Sequence, residues 1–414
     1  MKRIAIFQYE WPLQSHTLSL ASGLAGHDFA VDLFLYDCDT GFVNLSRFLS
    51  GSSVKVVRLD RGRVKKVLDR IRKMIGCGAQ DGPVRDCVVR RSLEVMGAAG
   101  YDYLIGVEKK GLIWAGRVSA VLEVPLLYYS LELYVEGHPA FDGKSEFVAL
   151  REEERLWHAK AAATIVQDAA RGAVLLKSNG LDASMDVIYL PVSVSGPAFR
   201  EGSRFLHDRL SLDPARKIIL YFGSVSRNRG IDEVIRHACG IDSSFEVVLH
   251  GPVAQDITSE ERRNERVIFS CGFVDDSEVP ALIASAHIGL SFYRNNVVND
   301  RLTAFSSEKM ALYLQSGVPV IAYANESYEL LMEHYRCGEL IRDMSELPAA
   351  VERIEADYEG YRENALSAFE RFYRCENNLR SVYAYLSRET TTGADANVPF
   401  DDSQSHDGTD AVRR

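Results

Sequence analysis

At 414 residues, 46% hydrophobic and 26% charged, the chain has the make-up of a soluble globular protein and the length of two domains of ~150–200 residues each. Its formal net charge of −10, with the acidic excess placed after residue 195, argues against nucleic-acid binding. Seven cysteines without a C-x-x-C pair argue against a disulfide or zinc framework and read as the reduced thiols of a cytosolic protein.

The opening MKRIAIFQYEWP has too short an apolar run for a secretory signal and reads as a first strand. Candidate strands lie at 3–7, 29–36, 54–59, 101–107, 124–129, 163–167 and 186–190, with stretches of helical spacing between most of them. Near-continuous apolar strands alternating with helices predict an α/β, doubly wound parallel sheet. Within this half, RLDRGRVKKVLDRIRKMIG (58–76) sets Val64, Val67, Leu68, Ile71 and Met74 or Ile75 in one apolar stripe among basic side chains. Such a helix either covers the core with a solvated outer face or rests on anionic lipid as a peripheral membrane contact.

The segment PVSVSGPAFREGS (191–203), with two Pro and two Gly, reads as a linker. Strands resume at 217–223, 245–251, 266–274, 287–293, 318–323 and 337–341, so a second α/β domain follows the first. The expected division is 1–195, 196–372, a helix at 373–388 crossing back to the first domain, and a disordered tail at 389–414. No apolar run approaches the ~18 residues of a membrane span, and the expected location is cytoplasmic, with any membrane contact peripheral.

Ligands of open parallel sheets bind beyond the carboxyl ends of the strands, so the loops there carry the candidate residues. In YFGSVSRNRGIDEVI (221–235) a strand ends at Gly223, the loop passes Ser224, Arg227 and Arg229, and Gly230 leads into a helix. Helix-start N–H groups beside two guanidinium groups make a phosphate site, although solvated arginines account for the same pattern. There is no Walker loop. VVLHGPV turns at Gly251, and Phe273 and Val274 end a strand against which a planar base fits as well as plain packing does. The stretch SSEKMALYLQSGVPVIA (306–322) begins a helix with Ser306 or Ser307 as cap and Glu308 in its first turn. Lys309 there opposes the helix dipole by about 0.3–1 kcal/mol unless an anion is bound. In the first half, Glu132 follows the strand VPLLYYS and reads either as a group for an acceptor hydroxyl or as an exposed loop residue. His16, opening the first helix, and His138 are further acceptor-side candidates.

Together these loops resemble the family 4-like glycosyltransferases of the GT-B fold. The resemblance runs through YFGSVSRNRGIDEVI, CGFVDDSEVPALIASAHIGLSFY and KMALYLQSGVPVI, and more loosely through VPLLYYSLELY and RLWHAKAAATIVQDAARGAVL. It implies two Rossmann-like domains facing across a cleft and a nucleotide-sugar donor, UDP- or GDP-linked. It also implies a sugar-bearing or lipid-linked acceptor, retention of configuration and no metal. Arg229 and Lys309 match the family's donor-diphosphate residues, Phe273 and Val274 its strand end near the base, and Glu308 a ribose contact. Glu132 stands where members carry a polar residue facing the acceptor. Three departures stand out: Ser224 replaces the usual Arg, Ala304 and Leu312 occupy the positions of a Glu pair, and QYEWPLQSH replaces a Gly-Gly turn. They leave open a degenerate GT-B scaffold that binds a partner or sugar nucleotide without turnover. A dehydrogenase is disfavoured, since no G-x-G-x-x-G follows the first strand.

Overall fold

The computed structural model describes residues 1–10, 12–38, 45–59, 84–135, 138, 144–272, 274–294 and 296–388. Phe273, most of the basic stretch 58–76 and the tail 389–414 lie outside the described residues.

Two wholly parallel sheets make up the chain. The first has the strands β1 (Arg3–Tyr9), β2 (Ala30–Tyr36), β3 (Lys55–Arg58), β4 (Tyr103–Val107), β5 (Leu126–Tyr129), β6 (Ala163–Val166) and β7 (Asp186–Tyr189), in the order β3-β2-β1-β4-β5-β6-β7. The second has β8 (Lys217–Phe222), β9 (Phe245–His250), β10 (Val267–Ser270), β11 (Ile288–Ser291), β12 (Val320–Tyr323) and β13 (Gly338–Ile341), in the order β10-β9-β8-β11-β12-β13. In both, the order reverses beside the first strand, which opens a crevice at the carboxyl ends. Every candidate strand of the sequence is present, because a central parallel strand is covered on both faces and so reads as an apolar run, although the edge strand β3 has no buried residue.

Strand alternation sorts side chains to the two faces. Ile4 and Ile6 of β1 join the cluster under helix Ser15–Ala25, while Ala5 and Phe7 join the aromatic cluster of Phe34 and Trp114. Phe7 stacks on Phe34 at 4.9 Å and meets Trp114 edge-on at 4.9 Å. In the second sheet Ile219 and Tyr221 face one cluster and Ile218 and Leu220 the other.

The chain passes between the sheets twice. Val194 N–H donates to Tyr373 O at 3.0 Å, and Cys375 N–H donates to Val194 O at 3.0 Å, so the outgoing and returning strands clasp each other. Helix Cys375–Ser387 then buries Leu379, Val382 and Leu386 in the core of the first sheet beside helix Ser15–Ala25. No helix among the described residues is long and apolar enough to cross a membrane.

Buried His158 makes stability pH-dependent. His158 accepts from Asn179 Nδ2 at its Nδ1 (2.7 Å) and shares its Nε2 proton with Thr164 Oγ1 (2.6 Å), so the ring is neutral. Burial holds its pKa at about 4, against 6.5 for an ordinary histidine. The unfolded chain therefore takes up the proton first, and this contribution is full above pH 6.5 and lost as pH falls toward 4. The expected size is about 3 kcal/mol. Burial also raises Glu108 to about 7, which acts with the opposite sign in the same window. The His158 part is accordingly read as the difference between wild type and His158→Gln in denaturant titrations at pH 7.5 and 4.5. A difference that does not shrink on acidification would refute it.

Candidate functional site

The second sheet contributes a small cationic cradle. The loops after β8 and β9 touch at two glycines: Gly223 (φ 131°) and Gly251 (φ 139°) hold backbone conformations that disfavour side chains. A Cβ on Gly251 would stand 2.1 Å from Gly223 O, and one on Gly223 would point at Lys309 Nζ, 3.7 Å away. Gly251 thus lets the two loops pack backbone against backbone, and Gly223 places bare backbone beside the lysine.

Lys309 is the second residue of helix Glu308–Gln315. Its Nζ lies 3.4 Å from Tyr221 Oη, 4.5 Å above the Tyr221 ring and 4.7 Å above that of Tyr293. No carboxylate among the described residues lies within ion-pair distance of it. Burial, and then the nearby Arg229, hold its pKa well below the usual lysine value. Arg229 rides 4.5 Å over the other portion of this floor, the Tyr293 ring, and its Nη1 is 3.6 Å from Asp300 Oδ1. Ser307 Oγ, 2.9 Å from Tyr293 Oη, fixes that ring. Two cations therefore share an aromatic floor at the start of a helix whose first N–H groups have no intrahelical acceptor.

The carboxyl ends of the first sheet face this cradle. Three acidic residues directly after β1, β2 and β4 hold left-handed backbones: Glu10 (φ 50°), Asp37 (φ 48°) and Glu108 (φ 59°). Such strain costs about 1–3 kcal/mol per residue and gathers at functional sites. Glu108 Oε1 accepts from the N–H groups of Leu131 (2.6 Å) and Glu132 (2.9 Å). Glu132 Oε2 accepts from Asn299 Nδ2 of the second half at 2.9 Å, and its charge acts on both His16 and Arg229. Ser15 Oγ donates to Glu308 Oε1 at 2.8 Å, closing the cleft from the other side. Burial lowers the pKa of His16, against the pull of Glu308 and Glu132.

The structure thus gathers Gly223, Gly251, Lys309, Arg229 and Glu308 on one wall, with Glu132 and His16 opposite. His138 stands 5.2 Å from the Tyr134 ring, beside Asp300. Other candidates go elsewhere. Arg227 is held by Asp232 (3.1 Å), Glu261 (2.6 Å) and Asp256 O (2.7 Å), so it braces its own loop instead of lining the cradle. Ser306 Oγ donates to Leu302 O and accepts from Arg171, which turns it toward the first sheet. Ser307 is the helix N-cap residue without a side-chain capping bond, since its hydroxyl serves Tyr293. Ser224 is exposed, and its carbonyl accepts from Tyr221 Oη at 3.0 Å. Val274 packs on the core, and Glu308 reaches Ser15 across the cleft. Sequence reasoning missed Tyr221, Tyr293, Glu108, Arg171, Asn299 and Asp300. Glu108 stands immediately after a strand, as Glu132 nearly does, so the strand-end rule pointed to it as well.

Two parallel α/β sheets with strand carboxyl ends apposed across a cleft define the GT-B architecture. Residues 241–373 match the family Glucosyltransferase 3-like, C-terminal domain. Across the whole chain the fold is similar to that of HepE from Anabaena, solved with UDP and glucose (TM-score 0.67, 15% identity, 94% of this chain and 99% of that one). It is also similar to sucrose-phosphate synthase from Thermosynechococcus elongatus (TM-score 0.64, 17% identity, 93% and 99%). A third likeness is WaaG, a glycosyltransferase involved in lipopolysaccharide biosynthesis (TM-score 0.63, 14% identity, 93% and 99%). No curated protein matches the sequence. The protein has the GT-B fold seen in these glycosyltransferases, and the match to the glucosyltransferase 3-like family lies within its second domain.

Proposed function

We propose that the protein transfers a sugar from a nucleotide-linked donor, UDP-linked by preference, to a sugar-bearing or lipid-linked acceptor. The observation that carries this reading is Lys309: a partly buried ammonium with no carboxylate partner among the described residues, beside Arg229 and the bare backbone of Gly223. That arrangement is unfavourable until an anion arrives, and a diphosphate supplies one. Lys309, Arg229 and the helix-start N–H groups stabilise the charge that develops on the leaving diphosphate. In this reading those groups meet the leaving charge without a metal, and Glu132, from the opposite wall, orients the acceptor hydroxyl. With the acceptor arriving on the face the diphosphate leaves, configuration is retained.

Thermal shifts against UDP, GDP, dTDP and NAD test the reading. UDP at 100 times its Kd is expected to stabilise the fold by about 2.7 kcal/mol. Arg229→Ala is expected to remove most of that shift. A response to NAD alone would defeat the proposal. Binding of UDP with no turnover of any sugar nucleotide would favour a scaffold that holds the nucleotide.

A further inference from the structure

Beyond β5 the residues Ser130–Leu133 have no regular structure, yet side chains from elsewhere hold their backbone. Ser130 O accepts from Gln167 Nε2 (2.8 Å), and the Leu131 and Glu132 N–H groups donate to Glu108. Leu131 O accepts from Arg171 Nη2 (2.6 Å), Glu132 O from Lys109 Nζ (3.5 Å), and Leu133 N–H donates to Asn299 Oδ1 (2.8 Å). Of these holders, Asn299 alone comes from the second half of the chain. A loop pinned in this way is preorganised, and its one cross-domain pin sits on the residue next to Glu132.

The orientation of the Asn299 amide follows from its neighbours. Oδ1 faces two donors, Leu133 N–H and Arg171 Nη2 at 3.2 Å, so Nδ2 faces Glu132 Oε2. Asn299 lies on the short helix Val298–Arg301, and the following Leu302 sits in the aromatic core of the first sheet. Arg171, 1% exposed, also donates to Leu302 O (2.7 Å) and Ser306 Oγ (3.0 Å). Three residues after Ser306 comes Lys309. One continuous set of bonds thus links the loop that carries Glu132 to the helix that carries Lys309.

We propose that Asn299 is a positioning residue through which the donor-side half of the chain orients the Glu132 carboxylate, so that Glu132 is in register only when the two halves are closed on each other. This rests on the glycosyl-transfer reading above. Without the Asn299 N–H, the Glu132 side chain regains its rotamers and turns to water, away from Glu108. Coupling Glu132 to closure means that donor, acceptor and the group that orients the acceptor come together when water is being excluded.

Asn299→Asp is the informative variant. It keeps the oxygen that Leu133 N–H and Arg171 need, and places an oxygen against Glu132 where a donor stood. With UDP-glucose as donor and water as acceptor, it is expected to lower kcat at least tenfold with KM within twofold of wild type. Glu132→Gln is expected to do the same, and the double variant to be no slower than Glu132→Gln alone, because both act through the Glu132 carboxylate. A wild-type rate for Asn299→Asp, multiplying effects, or a loss carried by KM would overturn the proposal. A second arm needs no turnover: Asn299→Ala is expected to raise hydrogen–deuterium exchange of the peptide spanning Leu131–Leu133 at least tenfold. Unchanged exchange there overturns the latch whatever the activity. A wild-type chain that binds none of UDP, GDP and dTDP and turns over no sugar nucleotide would instead defeat the transferase reading, and exchange would still decide the latch.

Discussion

Lys309→Met is expected to cut sugar-nucleotide turnover ~10²–10³-fold while leaving the unliganded protein as stable as wild type, or more so. The two halves of this result have one cause. Lys309 Nζ stands over two tyrosine rings beside Arg229, with no carboxylate at ion-pair distance among the described residues. Its charge is desolvated and repelled until a diphosphate binds, so removing it relieves the free protein. A methionine of similar length fills the same space between Tyr221 and Tyr293, and sulfur–aromatic contacts are favourable. The gain in the free state is expected to be about 0.5–2 kcal/mol, read from urea midpoints. Turnover near the wild-type rate would remove Lys309 from the site. A large loss of stability would show that the lysine holds the fold instead of the ligand.

Glu154→Gln is expected to destabilise the protein by about 3–5 kcal/mol. Glu154 is fully buried between Lys109 and Arg151, which are 4% and 3% exposed. Lys109 Nζ lies 3.6 Å from Oε1, Arg151 bonds Oε2, and Tyr128 Oη donates to Oε1 at 2.8 Å. Burial opposes ionisation of Glu154, but Lys109, Arg151 and these hydrogen bonds outweigh it and hold the carboxyl below the usual glutamate range. Neutralising it strands two buried cations. Replacing all three residues together with apolar ones of similar volume is expected to restore most of the loss, since a buried ion network gains little over good packing. A denaturation midpoint for Glu154→Gln within about 1 kcal/mol of wild type would contradict this account. The network also bears on the site, because Lys109 follows the strained Glu108 and reaches Glu132 O.

The legibility of the molecule differs by element. Most of its strands were readable because they are buried on both faces, and after their opening cation runs such as RIAIF and KIILYF have no polar position to interrupt them. Lys309 stood out as a candidate because a cation at a helix start is a local anomaly. Arg227 and Arg229 show the limit. They are two residues apart in one loop and chemically identical, yet the turn Arg227–Arg229 sends one to Asp232 and Glu261 and the other to Tyr293 and Asp300. Periodicity carries no information on that choice, because the partners come from different parts of the sheet.

Apolar periodicity and turn residues were enough to establish two parallel α/β sheets, their order along the chain and the strand ends where chemistry belongs, since burial on both faces leaves a local signature. Which side chains meet there was settled by the folded chain. Asn299 reaches Glu132 across 167 positions and Arg171 reaches Ser306 across 135, and each bond exists because two separately folded sheets are apposed. A hydrogen bond between distant residues imposes no pattern on the residues around either partner, so the cleft and its latch belong to the tertiary structure.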